Sequence, residues 1–258
     1  MLESTFQHIP GVGERTERRL WARGCRCWSS LLDDDFNLPA DAYIRLKAGA
    51  KESISRLEAK DHEYFARCLP RKLAWRAYGA FKDGACYLDI ETTGLSPDYA
   101  HVTTVCVHSP KRTKTYIYEQ NMGELKADLA GYKYIVTFNG ARFDLPFLSN
   151  NLGLRFPQIH LDLMQPLRTL GYRGGLKAVE KELGLTRGSD GVTGLDAVYL
   201  WHAYRSKKPV TVAGRRVAGE DALRMLVDYN RDDTVNLEEL ARLTVKMLKE
   251  KHGKSLKA

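Results

Sequence analysis

The chain has 258 residues, 43% of them hydrophobic and 28% charged, a length between one large domain and two small ones. Forty Lys+Arg against 32 Asp+Glu leave a formal net charge of +8, which favours a polyanionic partner such as nucleic acid and argues against acidic or disordered classes. No apolar run approaches the ~18 residues of a membrane helix, and Met1-Leu2-Glu3-Ser4 does not open an export signal, so a cytoplasmic chain with no membrane partner and with reduced thiols is expected.

Residues 1–80 read as a helical module: a short first helix, a Gly-containing hairpin at 9–13, then apolar residues at helical spacing over 14–23, 41–48, 52–67 and 71–78. Breaks are expected at Asp33-Asp34-Asp35 with Pro39, and at Leu69-Pro70. In the hairpin, Ile9-Pro10-Gly11-Val12-Gly13 precedes a helix with Arg15, Arg18, Arg19 and Arg23. Such a Gly-x-Gly turn can present backbone N–H groups to a phosphate, although a purely structural or protein-docking hairpin has the same pattern. A dinucleotide fingerprint would need a third glycine where Thr16 stands. Cys25-x-Cys27 has no second ligand pair at zinc spacing and reads as two thiols.

From Ala85 the period changes. Segments 86–90, 101–108 and 113–118 read as a strand meander, followed by a helix near 122–130, a strand at 134–138, and helices from 143 onward with a short strand near 159–161. This predicts a mixed α/β layered domain over 81–250, closed by helices at 219–230 and 232–250 and a basic tail at 251–258. Asp89 and Glu91 stand at i and i+2 of the first strand, so both leave the same face. Two acids ending a buried strand suggest a bound divalent cation; a solvent-facing strand end is the plain alternative. Asp144 opens a helix after the strand-and-turn run Thr137-Phe138-Asn139-Gly140, at the sheet edge where ligands bind in open α/β folds, or serves only as a first-turn acid. Asp162 reads as a helix N-cap and His160 as a packing residue.

Farther on, Arg168, Arg173, Lys177 and Arg187 surround the Gly174-Gly175 turn, as a phosphate track or as solvated surface. Lys207, Lys208, Arg215 and Arg216 flank a two-strand excursion or basic loop that could guide a single strand, a solvated loop being the alternative. Tyr172 is the best exposed stacking candidate, while Tyr199, Trp201 and Tyr204 fall at core spacing. Tyr229 and Asp233, four apart, share one helix face, and Asp232 points about 100° away as a solvated or capping acid. Gly253-Lys254-Ser255 follows no strand and implies no ATP site.

Together, Asp89-Ile90-Glu91-Thr92-Thr93-Gly94, Asn139-x-x-x-Phe143-Asp144 and Tyr229-x-x-x-Asp233 resemble the three ordered motifs of DnaQ-like 3′ to 5′ exonucleases on a ribonuclease-H-like fold. The Tyr four residues before the last Asp looks like the DEDDy type; the DEDDh type would need a His at Asp228. Gly171-Tyr172-Arg173-Gly174-Gly175-Leu176-Lys177 and Leu195-Asp196-Ala197-Val198-Tyr199-Leu200-Trp201 look most like the YprB-type ribonuclease-H-like subgroup, and the likeness covers about residues 80–248. The hairpin at 9–13 is similar to that of helix-hairpin-helix DNA-binding elements. The resemblance implies a ribonuclease-H-like mixed sheet flanked by helices. It also implies two Mg²⁺ or Mn²⁺ ions held by Asp89, Glu91, Asp144 and Asp233, with Tyr229 orienting the attacking water. Nucleic-acid contacts are expected from Gly11, Gly13, Thr92, Asn139, Arg173, Gly174, Lys177 and Arg187, with DNA slightly preferred over RNA. A structure-specific endonuclease with the same metals and a non-catalytic nucleic-acid-binding module are the competing readings.

Overall fold

Residues 1–33, 36, 38–188 and 191–255 are described by the structure, a computed structural model. Helices α1 (Glu14–Ala22), α2 (Trp28–Asp33), α3 (Ala40–Glu58), α4 (His62–Cys68) and α5 (Tyr78–Phe81) build the helical module. The expected first helix is a 3-10 turn, Leu2–Ser4, and the segment at 71–78 is mostly a 3-10 helix, Arg71–Ala77. Asp34 and Asp35 of the expected break lie outside the described residues. The segments read separately at 41–48 and 52–67 are joined by α3, and the chain turns at Lys60, whose φ is +52°. Gly49 is needed for packing there, since a Cβ would lie 2.8 Å from Cγ2 of Ile9. Asp61 then caps α4 by accepting from the Tyr64 N–H at 3.0 Å.

The module is fastened from inside. Glu17 is fully buried, accepts the Phe6 N–H at 2.7 Å and pairs with Arg76 Nη1 at 3.0 Å, so the charge is compensated where water is absent. Trp28 Nε1 donates to the Thr5 carbonyl at 2.7 Å, and the Tyr134 hydroxyl donates to the Ala74 carbonyl at 2.9 Å. One apolar cluster runs from Leu2, Phe6 and Trp28 through Leu73 and Phe81 to Tyr87, Tyr134 and Leu161, across the expected boundary near residue 80.

Strands β1 (Ala85–Thr92), β2 (Val102–Ser109), β3 (Arg112–Ile117), β4 (Tyr134–Thr137) and β5 (Ile159–Asp162) form one mixed sheet in the order β3-β2-β1-β4-β5. The meander pairs antiparallel, with Asp89 opposite Cys106 and Glu91 opposite Thr104, while β1–β4 and β4–β5 are parallel. Helix α6 (Leu125–Ala130) and α7 (Asp144–Leu152) cover one face, where Cys86, Leu88 and Ile90 meet Leu125, Leu129 and Phe147. This is the expected mixed α/β sheet flanked by helices. The register irregularity between Glu91 and Thr92 ends β1 just after its second acid.

After α8 (Met164–Leu170), α9 (Leu176–Glu182) and α10 (Gly194–Ser206), the short hairpin of β6 (Val210–Val212) and β7 (Arg215–Val217) leads into α11 (Gly219–Ser255). The sequence predicts two helices meeting near residue 231; the structure has one of 37 residues. Asn230, Asp232 and Asp233 are weak helix formers, but no proline interrupts them, and the Thr234 hydroxyl bonds back to the Asn230 carbonyl at 2.7 Å. Tertiary contact overrides propensity. Helix α11 also extends through residues 251–255 of the expected basic tail, and residues 256–258 lie outside the described residues. On the sheet face opposite α7, Ala85 and Tyr87 cluster with Leu237, Leu240 and Ala241, and Asp89 lies beside Asn230. The helix therefore crosses β1 in the reverse direction, which brings its acids over the acidic end of the strand.

Candidate active site

Asp89 and Glu91 are placed by the pleat. They continue the face on which Ala85 and Tyr87 pack against α11, and at the carboxyl end of β1 that face changes from apolar to acidic. Asp233 arrives from α11, one turn after Tyr229. One carboxylate oxygen from each of Asp89, Glu91 and Asp233 lies within 4.8 Å of the others, the one such group of three or more His, Cys, Asp or Glu ligand atoms among the described residues.

Asp144 is the first residue of α7 and is 3% exposed. It lies outside the tight group but near enough that the Asp89 charge acts on it. Its approach depends on the turn before it: Asn139 has φ +64°, and a Cβ on Gly140 would fall 2.3 Å from Thr137 Oγ1, so only glycine fits. Asp162 holds this turn, accepting from the Asn139 N–H at 2.7 Å and the Ala141 N–H at 3.1 Å, and it also accepts from the Met164 N–H at the start of α8 at 3.1 Å. His160 Nε2 bonds Thr137 Oγ1 at 2.9 Å inside the same support.

Burying like charges together raises their proton affinity. Burial pushes Asp89 up to about 7 against the pull of Asn230, whose Nδ2 donates to Asp89 Oδ2 at 2.8 Å, and of Arg187. Burial, then the charges of Asp89 and Asp144, hold Glu91 well above the usual carboxylate range, and burial followed by Asp89 does the same to Asp144. The Tyr229 hydroxyl is also pushed up, first by burial and then by Glu91 and Asp89, which keeps it a proton donor. An oxygen-only set of buried carboxylates suits a hard divalent cation such as Mg²⁺ or Mn²⁺.

Two cations do reach the cluster. Arg187 is 7% exposed at its side chain and pairs with both Glu180 of α9 and Asp233, and its guanidinium carbon is 6.0 Å from the Tyr229 ring centre. Lys177 Nζ lies 4.5 Å from the same ring centre and donates to the Val192 carbonyl. Arg187 is thus a buried partner of the acids, drawn inward by the fully buried Glu180, which also accepts from Asn236 Nδ2 at 3.0 Å. Arg173 and Gly174 are exposed at the turn before α9, with φ +95° at Gly174. The Thr92 hydroxyl donates to the Gly94 carbonyl at 2.5 Å and shapes the turn after β1. Tyr172 is half-buried against the core with its hydroxyl 3.5 Å from Met247 Sδ, and so differs from the exposed stacking residue expected. Gly11, with φ +82°, and Gly13 are exposed ahead of α1 in the helical module, away from the contacts described here.

Glu180 and Asn230 were not singled out by the sequence reading. Both occupy inward positions of predicted helices where an apolar residue would be expected, Asn230 directly after Tyr229; that misplacement is the signal they offer.

The model of a family described as the RNase_H superfamily matches residues 86–245. The chain belongs to the RNase H superfamily. Among the described residues, no helix of this chain is long and apolar enough to cross a membrane. No curated protein matches it in sequence. Among solved structures, it is similar to the family B DNA polymerase of Pyrobaculum calidifontis, at 17% identity over 60% of this chain with a TM-score of 0.46. That likeness spans 24% of the polymerase chain. It is also similar to Brucella melitensis NrnC with bound Mg²⁺, at 20% identity over 67% of this chain and 77% of that one, with a TM-score of 0.44. The same Brucella melitensis protein bound to pGG matches at 20% identity over 68% of this chain and 79% of that one, with a TM-score of 0.42.

Proposed function

We propose that this RNase H superfamily protein is a metal-dependent 3′ to 5′ exonuclease of DEDDy type. It removes nucleotides from single-stranded or otherwise 3′-ended nucleic acid, with DNA slightly preferred over RNA. The observation that carries the reading is the convergence of Asp89, Glu91 and Asp233 oxygens within 4.8 Å, with Tyr229 one helical turn from Asp233.

In this reading Asp89, Glu91, Asp144 and Asp233 hold two Mg²⁺ or Mn²⁺ ions. When bound, such a pair lowers the pKa of a coordinated water and neutralises charge on the attacking and leaving oxygens of an in-line displacement. Tyr229, kept protonated by its buried acidic surroundings, orients the incoming water through its hydroxyl instead of removing a proton. Asn230 fixes which oxygen of Asp89 is free, since Oδ2 already accepts its amide. The Glu180–Arg187 pair restrains Asp233 from the side of α9. Lys177, beside the Tyr229 ring, supplies positive charge where a substrate phosphate would approach. Arg173, Gly174 and the backbone of Gly11 and Gly13 serve as outer phosphate contacts, the last two as a helix-hairpin-helix-like element.

The test is a time course on 5′-labelled single-stranded DNA and RNA of one sequence with Mg²⁺, Mn²⁺ or EDTA. A metal-dependent ladder shortening from the 3′ end is expected from the native protein, with at least a ~10³-fold loss in Asp233→Asn, as for groups that act together on one transition state. Internal cuts, or cleavage of a circular strand, would replace the exonuclease with an endonuclease. A folded protein that binds the strands and cuts none would overturn catalysis altogether.

A further inference from the structure

A cavity of about 850 Å³ lies along α11. Its walls come from the segment Thr186–Gly188 and, later in the chain, from the β6–β7 hairpin and the solvent face of α11, which follows it, between Asp221 and Asn236. The hairpin contributes Arg215 and Arg216, and the helix Arg224 and Arg231. All four are exposed. Arg224 is engaged with Asp221 at 2.9 Å, whereas Arg215, Arg216 and Arg231 form no ion pair among the described residues. Asp228 and Asp232 share the wall, so the charge is mixed with an arginine excess.

The hairpin's construction accounts for that excess. A two-stranded hairpin is marginal by itself in water, and this one is anchored by Val212, which is buried among α10 and α11 residues with Val210 and Val217 packed beside it. Three apolar side chains hold it down, and Arg215 and Arg216, both on β7, line the cavity. Guanidinium forks suit phosphate oxygens, and a strand backbone presents those at regular spacing. Arg224 and Arg231 are seven positions apart on α11, about 10 Å, which matches roughly three phosphate-to-phosphate steps of a stacked strand at ~3.4 Å each. The cavity also adjoins the site: Arg187 lines it while pairing with Asp233, and Asp232 on its wall is the neighbour of Asp233.

We propose that this groove is a docking track for the backbone of a single-stranded nucleic acid, holding nucleotides on the 5′ side of the reacting end. The assignment to the 5′ side rests on the exonuclease reading, because only that part of the strand continues beyond a terminal bond; the binding itself does not depend on catalysis.

The experiment is fluorescence anisotropy of 5′-labelled single strands of three and ten nucleotides with the full chain in Ca²⁺, over a range of salt. The native protein is compared with Arg215→Gln/Arg216→Gln, Arg215→Glu/Arg216→Glu and, from a different element, Arg231→Gln. Charge reversal is expected to raise the ten-nucleotide Kd at least tenfold. The double glutamine variant is expected to reduce the slope of log K against log salt by about 1.4, two contacts at ~0.7 each, and Arg231→Gln by about half of that. The three-nucleotide strand is expected to change less than twofold. Unchanged affinity for the longer strand in all variants would overturn the track, as would equal weakening of both lengths, which would indicate a diffuse field. Should the hairpin variants fail to fold by circular dichroism, Arg231→Gln alone decides between these outcomes. Loss of the exonuclease reading in the time course leaves this binding result intact, so the two failures are distinguishable.

Discussion

Asn230 has no outlet other than Asp89: it is fully buried and its amide donates to one carboxylate oxygen. Replacing it with Ala frees Asp89 to rotate and removes the one hydrogen bond that favours its charged form. Outer partners of this kind typically govern 10–100-fold in metal affinity. We therefore expect Asn230→Ala to weaken Mn²⁺ binding by about that factor in calorimetry while the fold is retained; unchanged affinity would remove Asn230 from the site. The acids themselves were legible because three short patterns occur in order with meaningful spacing. Asn230 and Glu180 were not, because a buried polar residue is recognised by its partner, and the partners Asp89 and Arg187 are 141 and seven positions away in the chain.

At the scale of elements, the turn between β4 and α7 controls where Asp144 points. Gly140 sits against Thr137 so closely that an added methyl must displace the side chain that bonds His160. Gly140→Ala should cost about 1–3 kcal/mol as overpacking does, with a matching loss of activity. Thr137→Gly in the same chain, which removes the Cβ that would lie 2.5 Å from the methyl as well as the hydroxyl, should recover part of the stability, which a double-mutant cycle in urea would measure. Additive effects would mean that the turn is strained by something other than this contact. Period and turn residues were enough to read the strands of the sheet and its flanking helices, and left the segment before α11 as either a two-strand excursion or a basic loop; it is the β6–β7 hairpin. They failed where propensity was weak but packing strong: the polar run around Asp232 looked like a helix end, and 41–48 and 52–67 read as separate segments that α3 joins. In both places a distant side chain, Asp89 or Ile9, decides the backbone.

For the whole molecule, two expectations follow from burial. The first concerns pH. In the metal-free fold Asp89 titrates near 7, above its ordinary value of ~3.9, and Glu91 and Asp144 are shifted the same way. Between those values the folded state binds more protons than the unfolded one, so the stability of EDTA-treated protein should fall as pH rises from about 4 through about 7. Mg²⁺ or Mn²⁺ should raise the melting temperature more at pH 8 than at pH 5.5, because protons compete for the same oxygens. Calorimetric scans at both pH values check this; a metal effect independent of pH would contradict it. The second concerns cooperativity. Leu2, Phe6, Leu20, Trp28 and Leu31 share one apolar cluster with Tyr87 and Leu237, so the helical module and the sheet should unfold in a single transition. Two separate calorimetric peaks would show instead that the module is a unit of its own.

Helix α11 carries Tyr229 and Asp233 near one end of its contact with the sheet and, 23 residues beyond Tyr229, His252, whose ring lies 4.8 Å from that of Trp21 in the helical module. That separation is about 35 Å along one unbroken rod, so a pivot of a single degree at the tryptophan moves the tyrosine by about 0.6 Å. Misplacement on the order of 1 Å is enough to cost a reaction ~100-fold. A mechanical lever of this length makes the packing of residues remote from the acids a condition of their alignment.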